Sequence, residues 1–594
     1  MSLLHVLIGL ALFLPFAIGF QIGKDFFGLD FPLFFGLVLQ TVLGNFILLY
    51  ARGDETKERI KVLIGYFLFF TGLSGSYLVG KSIWLPVFWE VSTIGSVLIY
   101  FGQGITRKAI KSIIALFLAS SISMLLISGW VFLPETAIGY SLLMYGLLIK
   151  SAFSLFHMWY PEAHQGTPSH ASAAYSGVML NLPLLLFVRH VMSWWNDIPY
   201  SHLLIPIAGV GVFLGGMTSF FSKDVKKALA YSTIEKSNFL CLFLFVSALW
   251  TYGDVDKDGD YTSLGRSFLV LFYLMLLHHS FSKTFQFLAI GYICKKAKTT
   301  AIDLCKGVGR LSGLSSIELG IGTLSFAAIP GTIGFIAEAS LLFLISKTID
   351  LSNVGDSVYF LLAIVFSLSG LVMGGAAHIR MYLPMALSIP DKKLAHQIEL
   401  EKEPVPAGIS ISLRLLGIGI FLIPILLFIP LFTMNRYTGC ISNSAYDCIN
   451  ILSGNMASLA RWIPPYLLTW LYKLTFISIA VTFIFLSLFL FRWSHQIQKR
   501  RSWDCGNNYA GSELSIPSSV ISDPVYNSVG RYFINKQGEL YFDKAVNRAL
   551  ISTLSVGKYW IAKVESGEIG YYLLFSAMSF LISLCLIIFL KIHI

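Results

Sequence analysis

Ionisable side chains interrupt several otherwise apolar stretches of this sequence. The sequence places Glu90 in LPVFWEVSTIGS, Lys150 at the end of YGLLIK, both His279 and Lys283 in LLHHSFSKTFQFLAIG, and Glu338 in GFIAEASLLFL. An ionised group in the middle of a membrane helix costs at least ~2.5–3.5 kcal/mol, so it usually faces a partner or a water-filled cavity. Five such residues together favour a route for ions, and their types favour protons.

The same residues suggest how a proton would move. An ionised Glu90 close to Lys150 keeps the lysine protonated, and burial makes the lysine lose its proton when the carboxylate moves away. His279 changes charge near neutral pH and lies on one helix face with Lys283, so it suits relay to that lysine. Glu338 offers an exit carboxylate. The alternative is that Glu90 and Lys150 form a static buried pair.

Long apolar segments must position these residues. The chain has 594 residues, 56% hydrophobic and 13% charged, with a mean hydropathy of +0.73, whereas soluble domains are roughly a quarter charged. Stretches of about 20 apolar residues, enough to cross the hydrocarbon core, recur from Leu3 to Ile592. Backbone groups in lipid must bond within helices. The sequence therefore predicts an all-α, polytopic membrane protein with about 14–16 transmembrane helices.

The net charge of +11 lies in short loops between the apolar segments, which is typical of cytoplasmic loops and not of a nucleic-acid interface. With the N-terminus inside, four basic loops fall inside: 52–61, 107–111, 223–227 and 295–310. Counting every later apolar segment as a crossing puts the basic stretch 492–501 outside. Basic loops normally lie on the inner side of the membrane. The pattern thus indicates either a miscounted helix after residue 312 or a soluble partner that overrides this preference.

Two places read as broken helices. One is FHMWYPEAHQGTPSHAS, with Pro161 and Pro168, and the other is IPGTIGFIAE, with Pro330 and Gly331. Pro and Gly interruptions at corresponding positions of two halves point to a transport site. The alternative is a pair of kinks that serve packing alone.

Other motifs add no chemistry. The acidic loop Asp254–Asp260 resembles the start of a calcium loop, but Gly265 replaces the glutamate expected at its end, so we expect a solvated loop. No catalytic residue, cofactor site or metal site is predicted. The mixed pattern from Gly538 to Lys563 predicts an amphipathic helix along the membrane surface, with an ordinary cytosolic tail as the alternative.

Taken together, several motifs resemble the antiporter-like subunits of respiratory complex I and its relatives. They are GLLIKSAFSLFHMWYPEAHQGTPSHASAAYSGVML, DVKKALAYSTIEK, HHSFSKTFQFLAIG, IPGTIGFIAE and FWE. The late segments WDCG and ESGEIGYYLLF look most like the hydrogenase-4 component B and formate hydrogenlyase membrane-subunit branch. The resemblance implies two inverted five-helix repeats, each with a broken helix.

The resemblance also implies a division of the chain. The parts are N-terminal helices at 1–59, a first antiporter-like repeat at 60–193, a second at 203–381, additional C-terminal helices at 382–492, a polar loop with a lateral amphipathic helix at 493–567, and a final transmembrane helix at 568–594.

By residue match, Glu90 and Lys150 would be the first-half pair, His279 and Lys283 the central relay, and Glu338 the second-half terminal group. Three departures bear on this route. Asn181 stands where many relatives carry a lysine, Lys236 stands where the Ile-Glu block usually continues with histidine, and one helix before Glu90 is missing. Lys236 or water would have to replace the lysine lost at position 181.

The resemblance implies a proton-translocating, non-redox subunit of a complex I-related assembly. The chain would then be a non-catalytic subunit of an NADH-, ferredoxin- or hydrogenase-linked oxidoreductase complex. Alternatives are a subunit of a multi-subunit cation/proton antiporter, a proton-conducting partner of a soluble inorganic-carbon uptake protein, and a scaffold with a non-conducting path. The implied partners are other membrane subunits, a soluble redox or zinc-binding protein, and lipid. The implied location is the bacterial inner membrane.

Overall fold

The structure is a computed structural model, and it describes most of the chain between residues 31 and 544. The described residues are 31–54, 58–102, 106–252, 260–314, 316–351, 354–388, 390, 396, 404–442, 464–494, 519–528, 531, 533–535, 540–541 and 543–544. The predicted spans at 3–21 and 568–590, the acidic loop from 253 to 259 and most of the predicted lateral helix lie outside these residues.

The described part of the chain is mostly helical. Its two β-bridges are isolated and form no sheet. In chain order the helices are α1 Phe31–Gly53, α2 Arg59–Leu78, α3 Trp84–Phe101, α4 Arg107–Phe132, α5 Ala137–Lys150, α6 Trp159–Gln165, α7 Ser169–Trp194, α8 Leu204–Phe221, α9 Val225–Tyr252, α10 Asp260–Ala297, α11 Ser316–Phe326, α12 Ile333–Leu351, α13 Val354–Tyr382, α14 Ala407–Ser442, α15 Pro465–Ser494 and α16 Ser519–Ser528. The predicted all-α fold is confirmed.

Eleven helices in the described ranges are long and apolar enough to cross a membrane. Two further crossings are built from pairs of shorter helices, α5 with α6 and α11 with α12, each pair joined by a short non-helical segment. The chain is therefore an integral, multi-pass membrane protein, as its composition predicts.

The pairing of α11 with α12 corrects the count made from the sequence. The apolar segments 313–330 and 332–347 read as two crossings in the sequence, whereas the structure joins them as one interrupted crossing. With one crossing fewer, α15 ends at Ser494 on the side that carries the other basic loops. This count agrees with the rule that positively charged loops stay inside, which the longer count did not.

Side-chain caps explain where several of these helices begin. Thr106 accepts a hydrogen bond from the Ala109 backbone N–H at the start of α4 (3.1 Å), and Thr136 does the same for Gly139 at the start of α5 (3.3 Å). Asp224 accepts from the Lys227 N–H (3.0 Å) and begins α9. Each cap satisfies a donor that the first helical turn leaves unpaired.

Close helix contacts hold the bundle together. A Cβ added at Gly95 of α3 would lie 2.3 Å from the Phe69 backbone nitrogen of α2, and one added at Gly216 of α8 would lie 2.2 Å from the Gly370 carbonyl of α13. Small residues let membrane helices approach this closely, which replaces the hydrophobic driving force that lipid does not supply.

Candidate proton-transfer pathway

The first helix interruption lies upstream of both prolines that predicted it. Helix α5 ends at Lys150, the chain turns through Ala152 with a φ of 56°, and α6 begins at Trp159. Pro161 lies in the first turn of α6, where a proline is tolerated. Pro168 is the N-cap of α7. The break is therefore at residues 151–158, and Pro161 does not cause it.

Neighbouring side chains satisfy the backbone that this break exposes. Ser237 of α9 donates to the Ser151 carbonyl, and the Trp159 indole donates to the Ile149 carbonyl at 3.0 Å. A broken membrane helix is tolerated where such partners replace the lost bonds. Helix α9 thus fixes the end of α5, and with it the position of Lys150.

Lys150 is buried at this helix end. Its side chain is 2% exposed, and its ammonium group donates to Ser120 of α4. The same group lies 5.8 Å from the ring centre of Trp89, which directly precedes the buried Glu90 on α3. Glu90 is near enough to Lys150 for their charges to interact, so the structure brings the two together between α3, α4 and α5.

A polar stripe connects the middle of the bundle. The His279 imidazole of α10 donates to the Ser176 carbonyl of α7 (3.2 Å), and the hydroxyl groups of Ser176 and Thr233 lie 2.9 Å apart. Asn181 donates to Ser280 at 2.9 Å. Asn181 carries no titratable group, so it contributes a hydrogen bond and no charge at this position.

Lys283 lies one turn beyond His279 and is fully buried. Its ammonium group donates to the Ser232 hydroxyl and to the Leu229 carbonyl (3.3 Å), both on α9. Helices α7, α9 and α10 therefore converge on the two residues that the sequence predicted as a central relay.

Lys236 faces inward and forms a three-membered charge cluster. Its ammonium group lies 2.8 Å from a Glu338 oxygen and 3.1 Å from a Glu235 oxygen. The Glu235 side chain is 0% exposed and that of Glu338 is 17% exposed. We call Glu235, Lys236 and Glu338 the charge cluster.

Glu235 was missed as a site residue in the sequence. It precedes Lys236 directly, and adjacent residues on a helix point in different directions, so a shared contact was not expected. The available signal was its place in the STIEK block, where an acidic residue follows apolar and small residues in a helix that spans the membrane.

The second interruption lies where the sequence placed it. Helix α11 ends at Phe326 and α12 begins at Ile333, with Pro330 and Gly331 between them. Ala328 has a φ of 50° and Gly331 a φ of 108°. The Thr482 hydroxyl of α15, which donates to the Ser478 carbonyl at 2.8 Å, lies 3.5 Å from the Gly331 carbonyl. Glu338 follows on α12, so this break positions one member of the charge cluster.

Gly374 of α13 leaves room for the cluster. A Cβ added there would lie 2.0 Å from the Glu235 carboxylate, whereas a Cβ added at the adjacent Gly375 would have its nearest neighbour at 3.5 Å. Gly374→Ala is therefore expected to displace Glu235 and to lower stability by about 1–3 kcal/mol, and Gly375→Ala is the matched control. Thermal unfolding of the purified variants measures the difference, and equal midpoints would show that α13 does not confine Glu235.

The described residues contain no group of three or more His, Cys, Asp or Glu side chains that could hold a metal ion. Hydrogen bonds and ring contacts instead join the buried polar groups into three sets, around Lys150, around His279 with Lys283, and around the charge cluster. Titratable groups buried at such positions in membrane helices can take part in proton transfer.

Interrupted crossings that bear charges beside the break define a class of ion-translocating membrane protein. The comparisons with known proteins name the family. A model described as the NADH:quinone oxidoreductase/Mrp antiporter membrane family matches residues 110–255 and 261–369, which hold both breaks and all predicted site residues except Glu90. Over these residues the chain is similar to the antiporter-like membrane subunits of respiratory complex I and related complexes.

Two relatives illustrate the range of this family. Hydrogenase-4 component B of Escherichia coli is 24% identical over 331 residues, which cover 51% of this chain and 47% of that protein. The putative antiporter subunit mnhA2 of Staphylococcus epidermidis is 24% identical over 383 residues, covering 59% of this chain and 47% of that protein. The chain thus spans about half the length of these curated relatives.

One solved structure has the same fold. A chain in the structure of the Mrp complex from Dietzia sp. DQ12-45-1b superposes with a TM-score of 0.51 at 16% identity, over 82% of this chain and 89% of that chain. At this level of identity the likeness concerns the fold alone.

Proposed function

We propose that this chain is a proton-translocating, non-redox membrane subunit of a complex I-related assembly. The observation that carries the proposal is the row of buried charges at two helix breaks. Lys150 lies at the first break, Lys283 in the centre, and Glu338 with Lys236 at the second break. Charges buried in membrane helices are expensive, so a row of them is the default sign of an ion route.

The proposed route has three parts. Glu90 and Lys150 hold a proton at the first break, and the serine and threonine hydroxyls around Ser176 lead towards His279. Lys283 receives the proton at the centre. Within the charge cluster the proton then reaches Glu338, whose side chain is more exposed than that of Glu235. Movement of either break changes the distance between a lysine and the glutamate that it pairs with. That distance controls the proton affinity of the lysine, and so whether the proton stays on it.

Reconstitution of the purified chain in liposomes tests the proposal. A potassium gradient with valinomycin supplies the driving force, and a dye inside the vesicles reports the proton flux. Lys150→Ala and Glu90→Gln are expected to reduce the flux by about 10²-fold or more, because each removes a proton-transfer group. Lys61→Ala is the control, since Lys61 lies in an exposed pair with Glu58. Unchanged flux in both buried variants would exclude the route and favour a scaffold.

A second candidate is a subunit of a cation/proton antiporter. The similarity to the putative antiporter subunit of Staphylococcus epidermidis favours it. The same vesicles distinguish the two functions if sodium is added outside in the absence of any other driving force. Sodium-driven proton movement supports the antiporter, and its absence together with potential-driven flux supports the first proposal.

The arrangement of crossings supports the division proposed from the sequence. The range 60–193 contains α2, α3, α4, the interrupted pair α5–α6 and α7, and the range 203–381 contains α8, α9, α10, the pair α11–α12 and α13. In both, the fourth crossing is interrupted. The first set begins on the side of the basic loops and the second on the opposite side, as inverted repeats require.

We further propose that other membrane subunits and a soluble redox partner complete the assembly, in the inner membrane of a bacterium. The relatives named above come from bacteria, and one of them is a component of a hydrogenase. The chain itself carries the proton route, so the electron donor would belong to a partner.

A further inference from the structure

Phe326 is the last residue of α11, directly before the second break, and its ring is surrounded by titratable groups. The His378 imidazole of α13 stacks on the ring at 4.3 Å with an angle of 15° between the planes. The Lys283 ammonium group lies over the ring at 4.5 Å from its centre. His278 meets the ring edge-on at 5.1 Å, and Lys236 lies 5.9 Å away.

Lys283 and His378 therefore both contact this ring. Because the parallel imidazole covers one face, the lysine fits against the opposite face, an arrangement that puts the ring between the two groups. His378 is 1% exposed, and neither of its ring nitrogens has a hydrogen-bond partner in the described part of the chain. Burying an imidazole without a hydrogen-bond partner costs free energy. A function that uses its ring nitrogens would account for this cost.

The two faces of the ring act differently on a proton. An ammonium group over an aromatic face is stabilised by the ring quadrupole, most strongly where water is excluded. Phe326 thus favours the protonated form of Lys283. At the same time the ring is apolar, so it offers no hydrogen bond through which a proton could pass to His378. While the ring is in place, transfer between the two nitrogens is blocked.

The position of Phe326 at a break allows the ring to move. Ala328 and Gly331 both have positive φ values, of 50° and 108°, within five residues of it. The Thr482 hydroxyl of α15 contacts the Gly331 carbonyl. A rotation at this break would carry the end of α11, and with it the ring, out from between Lys283 and His378.

We infer that Phe326 is a gate in the proton route, and that His378 is a further proton-transfer residue on the far side of it. This inference rests on the proposed function. When the ring moves aside, a proton leaves the Lys283 ammonium group and the lone pair of a neutral His378 nitrogen takes it up. No electron is transferred, and the pair keeps one positive charge throughout. Phe326 is a positioning residue, because it acts through its neighbours.

Passive proton leak in liposomes of the full chain tests the gate. Phe326→Leu is expected to raise the leak by about tenfold, since it removes both the barrier and the stabilisation of protonated Lys283. Phe326→Tyr keeps the ring and should restore a leak within about twofold of the wild type. Phe245→Leu is the matched control. That buried phenylalanine packs against Phe153 and Trp195.

The double variant Phe326→Leu with His378→Leu decides whether His378 receives the proton. Its leak should return to the wild-type level, because the open gate then leads to no acceptor. Equal leak in Phe326→Leu and Phe245→Leu would overturn the gate, because general loosening would explain both. A double variant that leaks as much as Phe326→Leu would overturn the role of His378.

These outcomes are independent of the test of the proposed function. If Lys150→Ala and Glu90→Gln leave driven flux unchanged, the main route fails whatever Phe326 does. If those variants abolish flux while Phe326→Leu behaves as the wild type, the gate alone fails.

Discussion

Replacing Lys236 with methionine is expected to destabilise the protein by about 3–5 kcal/mol and to abolish proton flux. Methionine keeps much of the length of the side chain and removes its charge. Glu235 and Glu338, which lie 3.1 Å and 2.8 Å from the lysine ammonium group, would then lose the cation that pairs with both. Breaking a buried ion pair costs more than the pair contributes, because the remaining carboxylate stays out of water. Thermal unfolding in detergent and flux in liposomes measure the two effects.

Neutralising the whole charge cluster separates charge from packing. The triple variant Glu235→Gln, Lys236→Met and Glu338→Gln should regain most of the lost stability and still carry no protons, because no buried charge is left unpaired. Lys61→Met is the matched control, and its effect should be small because exposed ion pairs contribute little. A triple variant as unstable as Lys236→Met would show that packing explains the loss.

The sequence reveals the charged residues that lie within apolar segments, but it does not reveal which residues pack beside them. Glu90, Lys150 and Lys283 can be found without a structure, because a charged residue within an apolar segment is directly visible in the sequence. Its placement in a membrane helix costs free energy, which suggests a function. Glu235 and His378 require the structure. Their roles depend on α9, α11 and α13 packing together, and no local pattern shows that packing.

The two helix breaks show the same limit. Proline and glycine mark the second break, since Gly331 has a backbone conformation that favours glycine. The first break turns at Ala152, which has a positive φ but carries no sequence signal for one. Bonds from α9 side chains stabilise that turn, so tertiary contacts decide its position. The prolines in the region lie nearby without causing it.

Replacing Gly331 with alanine is expected to destabilise the second break by about 1–3 kcal/mol and to reduce driven proton flux. Its φ of 108° is strained for any side chain, and an added Cβ would lie 2.9 Å from the Thr482 hydroxyl. The break lies between Phe326 and Glu338, so relief of the strain would displace both. Gly80→Ala is the control, because an added Cβ there has no neighbour within 4 Å. Unfolding midpoints and flux equal to those of Gly80→Ala would mean that the break adapts to a side chain, and its glycine would then not fix the spacing between the gate and the charge cluster.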